Sequence, residues 1–141
     1  MSTKLDEYLK KWDLSDPQPL ATTASSHVYT VTFEGTRVVL KLITEYGFEE
    51  REGAIALRYF DGHGAVRLLR DDEHAHLVEY VAGDDLVSMV RNGGDDEATA
   101  IIGDVLNQLH QPNSKPLPDN LTGLKRWFRS LFERASADQQ N

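Results

Sequence analysis

The chain has 141 residues, 40% of them hydrophobic, no cysteine, and a formal net charge of −8. That length suits one ordinary domain with a sizeable core and is short for a two-domain enzyme with a cleft between its halves. The acidic balance argues against binding nucleic acid through a broad basic surface, and no apolar run approaches the roughly 20 residues that span a bilayer, so neither nucleic acid nor membrane is an expected partner. With no disulfides to form and no continuous apolar leader in Met1 to Trp12, the expected location is the cytoplasm.

Ser2 or Thr3 can cap a first helix in which Leu5, Tyr8, Leu9 and Trp12 fall at i, i+3, i+4 and i+7, a one-sided docking stripe. Asp16, Pro17 and Pro19 end it. From Leu20 the β-branched run "LATTASSHVYTVTFEGTRVVLKLIT", broken at Glu34-Gly35, predicts a hairpin. A turn at those two residues sets Val31 against Val38, Thr30 against Val39 and Val28 against Lys41, so Val28, Val39 and Lys41 share a sheet face. The next segment predicts a helix from about Glu49 to Phe60. Placed at 100° steps, Ile55, Ala56, Leu57, Tyr59 and Phe60 form its apolar arc, with Arg51 and Arg58 pointing away. Glu49 and Glu52 fall inside that arc and Glu50 at its margin. An acid on a buried face needs a partner, and Lys41 is the obvious one, although helical spacing alone does not separate Glu49 from Glu52.

Two further strand-like runs, "AVRLLRD" and "HAHLVEYVAG", predict a second hairpin with its turn at Asp71 to Glu73. After Gly83 the pattern turns helical. Asp95, Asp96 and Glu97 favour a helix N-terminus, Ala98, Ile101, Ile102, Val105, Leu106 and Leu109 supply its stripe, and Pro112 lies beyond its end. A Pro-rich connection, "QPNSKPLPDN", leads to a last helix of about Leu121 to Ala135 carrying Leu124, Trp127, Phe128, Leu131 and Phe132. His74 and His76 lack the further ligands a metal needs and read as surface histidines. Asp84-Asp85 and Asp95-Asp96 read as helix caps, Ser26-His27 lack an orienting acid for a nucleophile, and Gly62-His63-Gly64 read as a turn after a helix.

Several phrases, in order, resemble one family: "WDL" at Trp12 to Leu14, "SHVYTV" at Ser26 to Val31, "VVLKL" at Val38 to Leu42, "EREGAIALR" at Glu50 to Arg58, "GAVRLL" at Gly64 to Leu69 and "LHQP" at Leu109 to Pro112. Together they are similar to the aminoglycoside phosphotransferases, in the branch of streptomycin 6-kinase and hydroxyurea phosphotransferase. The resemblance implies an α+β, protein-kinase-like N-lobe, an antiparallel sheet plus one packed helix, followed by the first helices of the C-lobe. It also implies an ATP-dependent transfer to a hydroxyl of an aminoglycoside-like or other small-molecule antibiotic. Phosphoryl transfer rests chiefly on positioning and charge neutralisation, so a fixed cation beside the phosphates is physically required. By resemblance that cation is Lys41, held by Glu52, the last acid of the "ERE" phrase. Ser25 and Ser26, in the turn that covers phosphates in such folds, are candidate phosphate donors. Val28 and Val39 would roof the adenine. "LVEYVAG" resembles the hinge strand, with the Glu79 carbonyl and Val81 N–H on the adenine edge and Val78 lining the pocket.

The same family draws its base aspartate and magnesium ligands from a His-Gly-Asp loop with a following Asn and from a later Asp. None of these motifs occurs here, and Asp119-Asn120 lacks the spacing and the lead. No catalytic or metal-binding residue is therefore assigned, and Mg2+ is expected only in the complete enzyme, as is the small-molecule acceptor. Residues 1–82 are expected to form the nucleotide-binding lobe with its N-terminal helix, and 83–141 the hinge and part of a helical acceptor lobe, inactive alone. The aromatic stripe at Trp127, Phe128, Leu131 and Phe132 needs a covering surface, which makes self-association an expectation. The rival reading is a non-catalytic nucleotide-sensing or protein-interaction module derived from a kinase fold, and a third is a purely structural remnant.

Overall fold

A computed structural model describes residues 3–139. Its first helix, α1 (Lys4–Lys11), opens on a capping box: the Thr3 hydroxyl accepts from the Asp6 N–H, and the Asp6 carboxylate accepts from the Thr3 N–H. Acids in the first turn and lysines in the last complement the helix dipole. The alternative cap, Ser2, lies outside the described residues.

Five strands follow as one antiparallel sheet in the order β1-β2-β3-β5-β4: β1 (Ser15–Thr22), β2 (Ser26–Phe33), β3 (Thr36–Ile43), β4 (Leu68–Asp71) and β5 (Ala75–Glu79). The β2–β3 register is the expected one, with Val31 opposite Val38, Thr30 opposite Val39 and Val28 opposite Lys41. Glu34 and Gly35 both have positive φ (49° and 76°), the type I′ geometry whose twist suits a two-residue hairpin. Because β3 is central, period 2 gives it two jobs. Val38, Leu40 and Leu42 are buried with Tyr8, Trp12, Leu14, Val31, Ala75 and Leu77, while Val39 and Lys41 face the other side. Tyr8 and Trp12 meet edge to face at 5.0 Å, and the predicted α1 stripe is thus the cover of this core.

The first strand begins five residues earlier than the sequence predicts. Pro17 and Pro19 do not end the chain's regular structure at Leu20; they sit on the sheet's edge strand, where irregular register between Ser15 and Gln18 and between Pro19 and Ala21 tolerates a missing N–H. The predicted helix from Glu49 also changes. Glu45–Glu52 is a 3-10 stretch with a non-helical kink at Gly47, and the α-helix proper, α2, spans only Gly53–Phe60. Ala54 is buried on it, and Ile55, Ala56, Leu57, Tyr59 and Phe60 are half-buried. Asp61 closes α2 in the left-handed region, and Gly62 and Gly64 continue the turn at positive φ.

The β4–β5 turn is fixed by Asp72. Its Oδ1 accepts from the His74 and Ala75 N–H groups, the Tyr8 hydroxyl donates to both carboxylate oxygens, and Lys11 pairs with Oδ2 at 2.6 Å. Four helices follow among the described residues, α3 (Leu86–Arg91), α4 (Asp95–Leu109), α5 (Leu124–Trp127) and α6 (Arg129–Asp138), the last two separated by a break at Phe128 where one helix is predicted. Asp85 caps α3 through the Val87 N–H, and Asp95, Asp96 and Glu97 occupy the first turn of α4. Only Ala98 of the α4 stripe is buried; Ile101, Ile102, Val105 and Leu106 are exposed, as are Leu124, Trp127, Phe128, Leu131 and Phe132. No helix among the described residues is long and apolar enough to cross a membrane.

Candidate functional site

Lys41 sits on the sheet face opposite the core, flanked across the ladder by Val28 on β2 and His76 on β5. Val39 is paired likewise with Thr30 and Val78, so one ammonium stands at the end of a patch built from Val28, Val39 and Val78. The shared face of Val28, Val39 and Lys41 expected from the hairpin turn is the one observed.

The acid that meets Lys41 is Glu50. The two side chains form an ion pair in which both are about one-third exposed (34% and 28%). Glu52, the acid expected by resemblance, points elsewhere: its carboxylate accepts the Thr122 N–H at 2.9 Å and the Thr122 hydroxyl at 2.8 Å. Glu49 is exposed. The reason is local. A 3-10 segment advances by about 120° per residue rather than 100°, and the Gly47 kink resets the phase, so an arc drawn on an α-helix from Glu49 assigns the wrong face. Gly47 itself is required there, because a Cβ at that position would lie 2.4 Å from the Ser25 carbonyl oxygen and 2.7 Å from Ile43 Cγ2. The turn before β2 is tied to the same segment by the Thr44 N–H donating to the Ser25 carbonyl and the Thr44 hydroxyl to that of Ala24.

Ser25 also donates to Glu50, which makes it part of the pair's support. Ser26 is buried, and both its N–H and its hydroxyl are engaged with Thr23 Oγ1. The Ser25 hydroxyl also lies 3.2 Å from Thr23 Oγ1, so both serines are tied into this turn. Burial pushes the Glu50 carboxyl up, but the hydrogen bonds from Lys41 and Ser25 and the Lys41 charge outweigh it and hold the group below the usual carboxylate range. Glu52 is also lowered, by its two hydrogen bonds from Thr122.

On β5, Glu79 ends the strand with its N–H on the Arg67 carbonyl and its carboxylate on the Arg67 N–H. Val81 is exposed beyond it, and no hydrogen bond among the described residues reaches its N–H. His76 is the residue sequence reasoning missed. His74 is exposed as expected of a surface histidine, but His76 is only 4% exposed, directly opposite Lys41. Period 2 along "HAHLVE", combined with the β3 register, would have put it beside Lys41. Desolvation, and then the Lys41 charge, push its imidazole below the ordinary histidine value. Among the described residues no group of three or more His, Asp or Glu is arranged to hold a metal ion. A cleft of about 510 Å³ lies away from Lys41, between the C-terminal ends of α2 and α4, bridged by Asn113 and Lys115.

Residues 11–141 match the family described as aminoglycoside/hydroxyurea antibiotic resistance kinase. The chain belongs to that family. Its curated relatives include a streptomycin 3''-kinase of Klebsiella pneumoniae, 35% identical over 129 residues that make up 91% of this chain and 47% of the relative. A streptomycin 6-kinase of Streptomyces griseus is 37% identical over 127 residues, 87% of this chain and 39% of the relative. A second streptomycin 6-kinase, from Streptomyces glaucescens, is 35% identical over 124 residues, 85% of this chain and 38% of the relative. The chain therefore spans less than half the length of each of these relatives. No solved structure matches it. The α+β architecture, a five-stranded antiparallel sheet with helices after it, is consistent with a kinase-like N-lobe followed by helices.

Proposed function

We propose that this chain is the nucleotide-binding portion of an ATP-dependent small-molecule kinase acting on a hydroxyl of an aminoglycoside-like antibiotic. The observation that carries the reading is the Lys41–Glu50 pair on a sheet face that also presents Val28, Val39 and Val78. Family membership and the streptomycin kinases among the relatives support the acceptor class. The site suits ATP in kind. Lys41 would neutralise phosphate charge, Glu50 would hold the ammonium, and Ser25 would brace Glu50 and offer a hydroxyl. The three valines would take the apolar face of the base, and the Glu79 carbonyl and Val81 N–H its polar edge. ATP supplies the transferable phosphoryl group; these residues bind and orient.

The carboxylate nearest the proposed phosphates, Glu50, is committed to Lys41, and no oxygen cluster stands beside it among the described residues, so no step here runs through Mg2+. Residues 1–82 would be the nucleotide lobe and 83–141 the hinge and part of the acceptor lobe. Without a counterpart to the family's His-Gly-Asp loop in these 141 residues, the chain by itself is proposed to bind nucleotide and not to transfer phosphate. Calorimetric titration with ATP tests this: Lys41→Ala should weaken binding at least about tenfold, as expected when a charge-assisted contact is lost. Equal affinity for both proteins would remove the phosphate role from Lys41.

One observation favours a second reading, a protein-interaction module. The apolar stripe of α5 and α6 is exposed, Trp127 at 57%, and would drive association through Trp127, Phe128, Leu131 and Phe132. Light scattering that finds a monodisperse monomer at high concentration would contradict it.

A further inference from the structure

Resting on that nucleotide reading, we propose that His76 is a positioning residue of the site, a neutral imidazole packed behind Lys41 that takes up a proton when nucleotide phosphate arrives. Its Nε2 is buried and has no hydrogen-bond partner among the described residues, an arrangement a folded chain rarely keeps without a use. His76 and Lys41 are direct cross-strand partners, and the side chains of such pairs stand about 5 Å apart at Cβ.

The charged groups around the imidazole come from three elements and one turn. Lys41 on β3 opposes its protonation. Glu50 of the 3-10 stretch, together with Asp71 on β4 and Asp72 in the β4–β5 turn, favours it. Each of these anions is already paired with a cation, Glu50 with Lys41, Asp71 with Arg58 and Asp72 with Lys11, so in the free protein the balance at His76 stays with the neutral form. A bound polyphosphate adds several negative charges next to Lys41 and cancels the repulsion that keeps the proton off. Imidazole then gains the proton, Nε2 acts as a donor, and the pair Lys41–Glu50 is backed by a second cation. One ring N–H bond forms, its proton taken from solvent, and no other covalent bond changes.

NMR titration of the imidazole Cε1–H, with His76→Asn identifying the signal, reads this directly. In the full chain without nucleotide, His76 should titrate below the ordinary histidine value. Saturation with ATP, no Mg2+ added, should raise its midpoint by about one pH unit or more, the size typical of a charge added nearby. Two variants test the wiring without nucleotide: Lys41→Met should raise the His76 midpoint, and Glu50→Gln should lower it. A midpoint unmoved by bound ATP, or unmoved by both variants, overturns the proposal. If ATP shifts no resonance at all while the two variants move the midpoint as stated, the nucleotide reading fails and the link to phosphate fails with it, whereas the local charge coupling stands.

Discussion

The two halves of the chain bury their apolar residues very differently. From Tyr8 to Leu77, alternate residues of β2, β3 and β5 and one face of α1 close around Leu40, Val31 and Leu77, each fully buried. From Leu86 to Asp138 the helices carry apolar stripes of comparable strength, yet Ala98 alone is buried, and Leu106 is 45% exposed. The buried core lies almost wholly in the first half. The helices hold their secondary structure through local bonds and a few ties to the first half, namely Glu52 to Thr122, and Asn113 and Lys115 to the C-terminal end of α2. A stripe on a helix records that a surface is to be covered, not which surface covers it.

Truncations at matched leucines give the largest separation between the halves. Leu40→Ala should cost about 2 to 5 kcal/mol in urea unfolding, the range for large-to-small changes in a packed core. Leu106→Ala should stay within about 0.5 kcal/mol, as an exposed site does. Comparable losses would mean the helical half is packed in solution.

Next in size is Gly47→Ala, whose methyl would overlap the Ser25 carbonyl; overpacking of this kind costs about 1 to 3 kcal/mol. Because Gly47 lies between Thr44 and Glu50, this variant should also weaken ATP binding, unlike a core truncation of similar cost. Thermal unfolding together with calorimetry would separate the two effects.

The anchor of α1 makes a pH test. Burial pushes the Asp72 carboxyl up, but the hydrogen bonds from Lys11, His74 and Tyr8 prevail and hold it below its ordinary value. A carboxyl lowered on folding contributes stability that is complete above its unfolded value, near 3.8, and lost as pH falls through the folded one. Asp72→Asn should therefore be less stable than wild type at pH 7, and the two should converge as pH falls below 3.8 through the folded value. Tyr8→Phe should cost about 1 kcal/mol at pH 7 through the lost hydroxyl bond. Parallel pH profiles for Asp72→Asn and wild type would exclude Asp72 as the titrating anchor.

How far the sequence reached follows the same division. The β2–β3 register could be derived to the residue, because a two-residue turn at Glu34-Gly35 and a period of 2 leave one solution, and that register alone brings Val28, Val39 and Lys41 together. The bounds of α4 were legible from its acids and its stripe. The partner of Lys41 was not. Nothing in "EYGFEERE" distinguishes a 3-10 turn from α-helix, and a 20° error per residue moves an acid from one face to another within a few positions. His76 escaped because its neighbour Lys41 belongs to a strand more than thirty residues away, so only the pairing of β3 with β5 reveals it.

Exchange of Glu50 and of Glu52, one at a time, for glutamine tests the central claim most directly. With Lys41 intact, ATP affinity measured by calorimetry should fall about tenfold or more in Glu50→Gln and stay near wild type in Glu52→Gln. Loss of affinity in Glu52→Gln with Glu50→Gln unaffected would contradict the pairing described here.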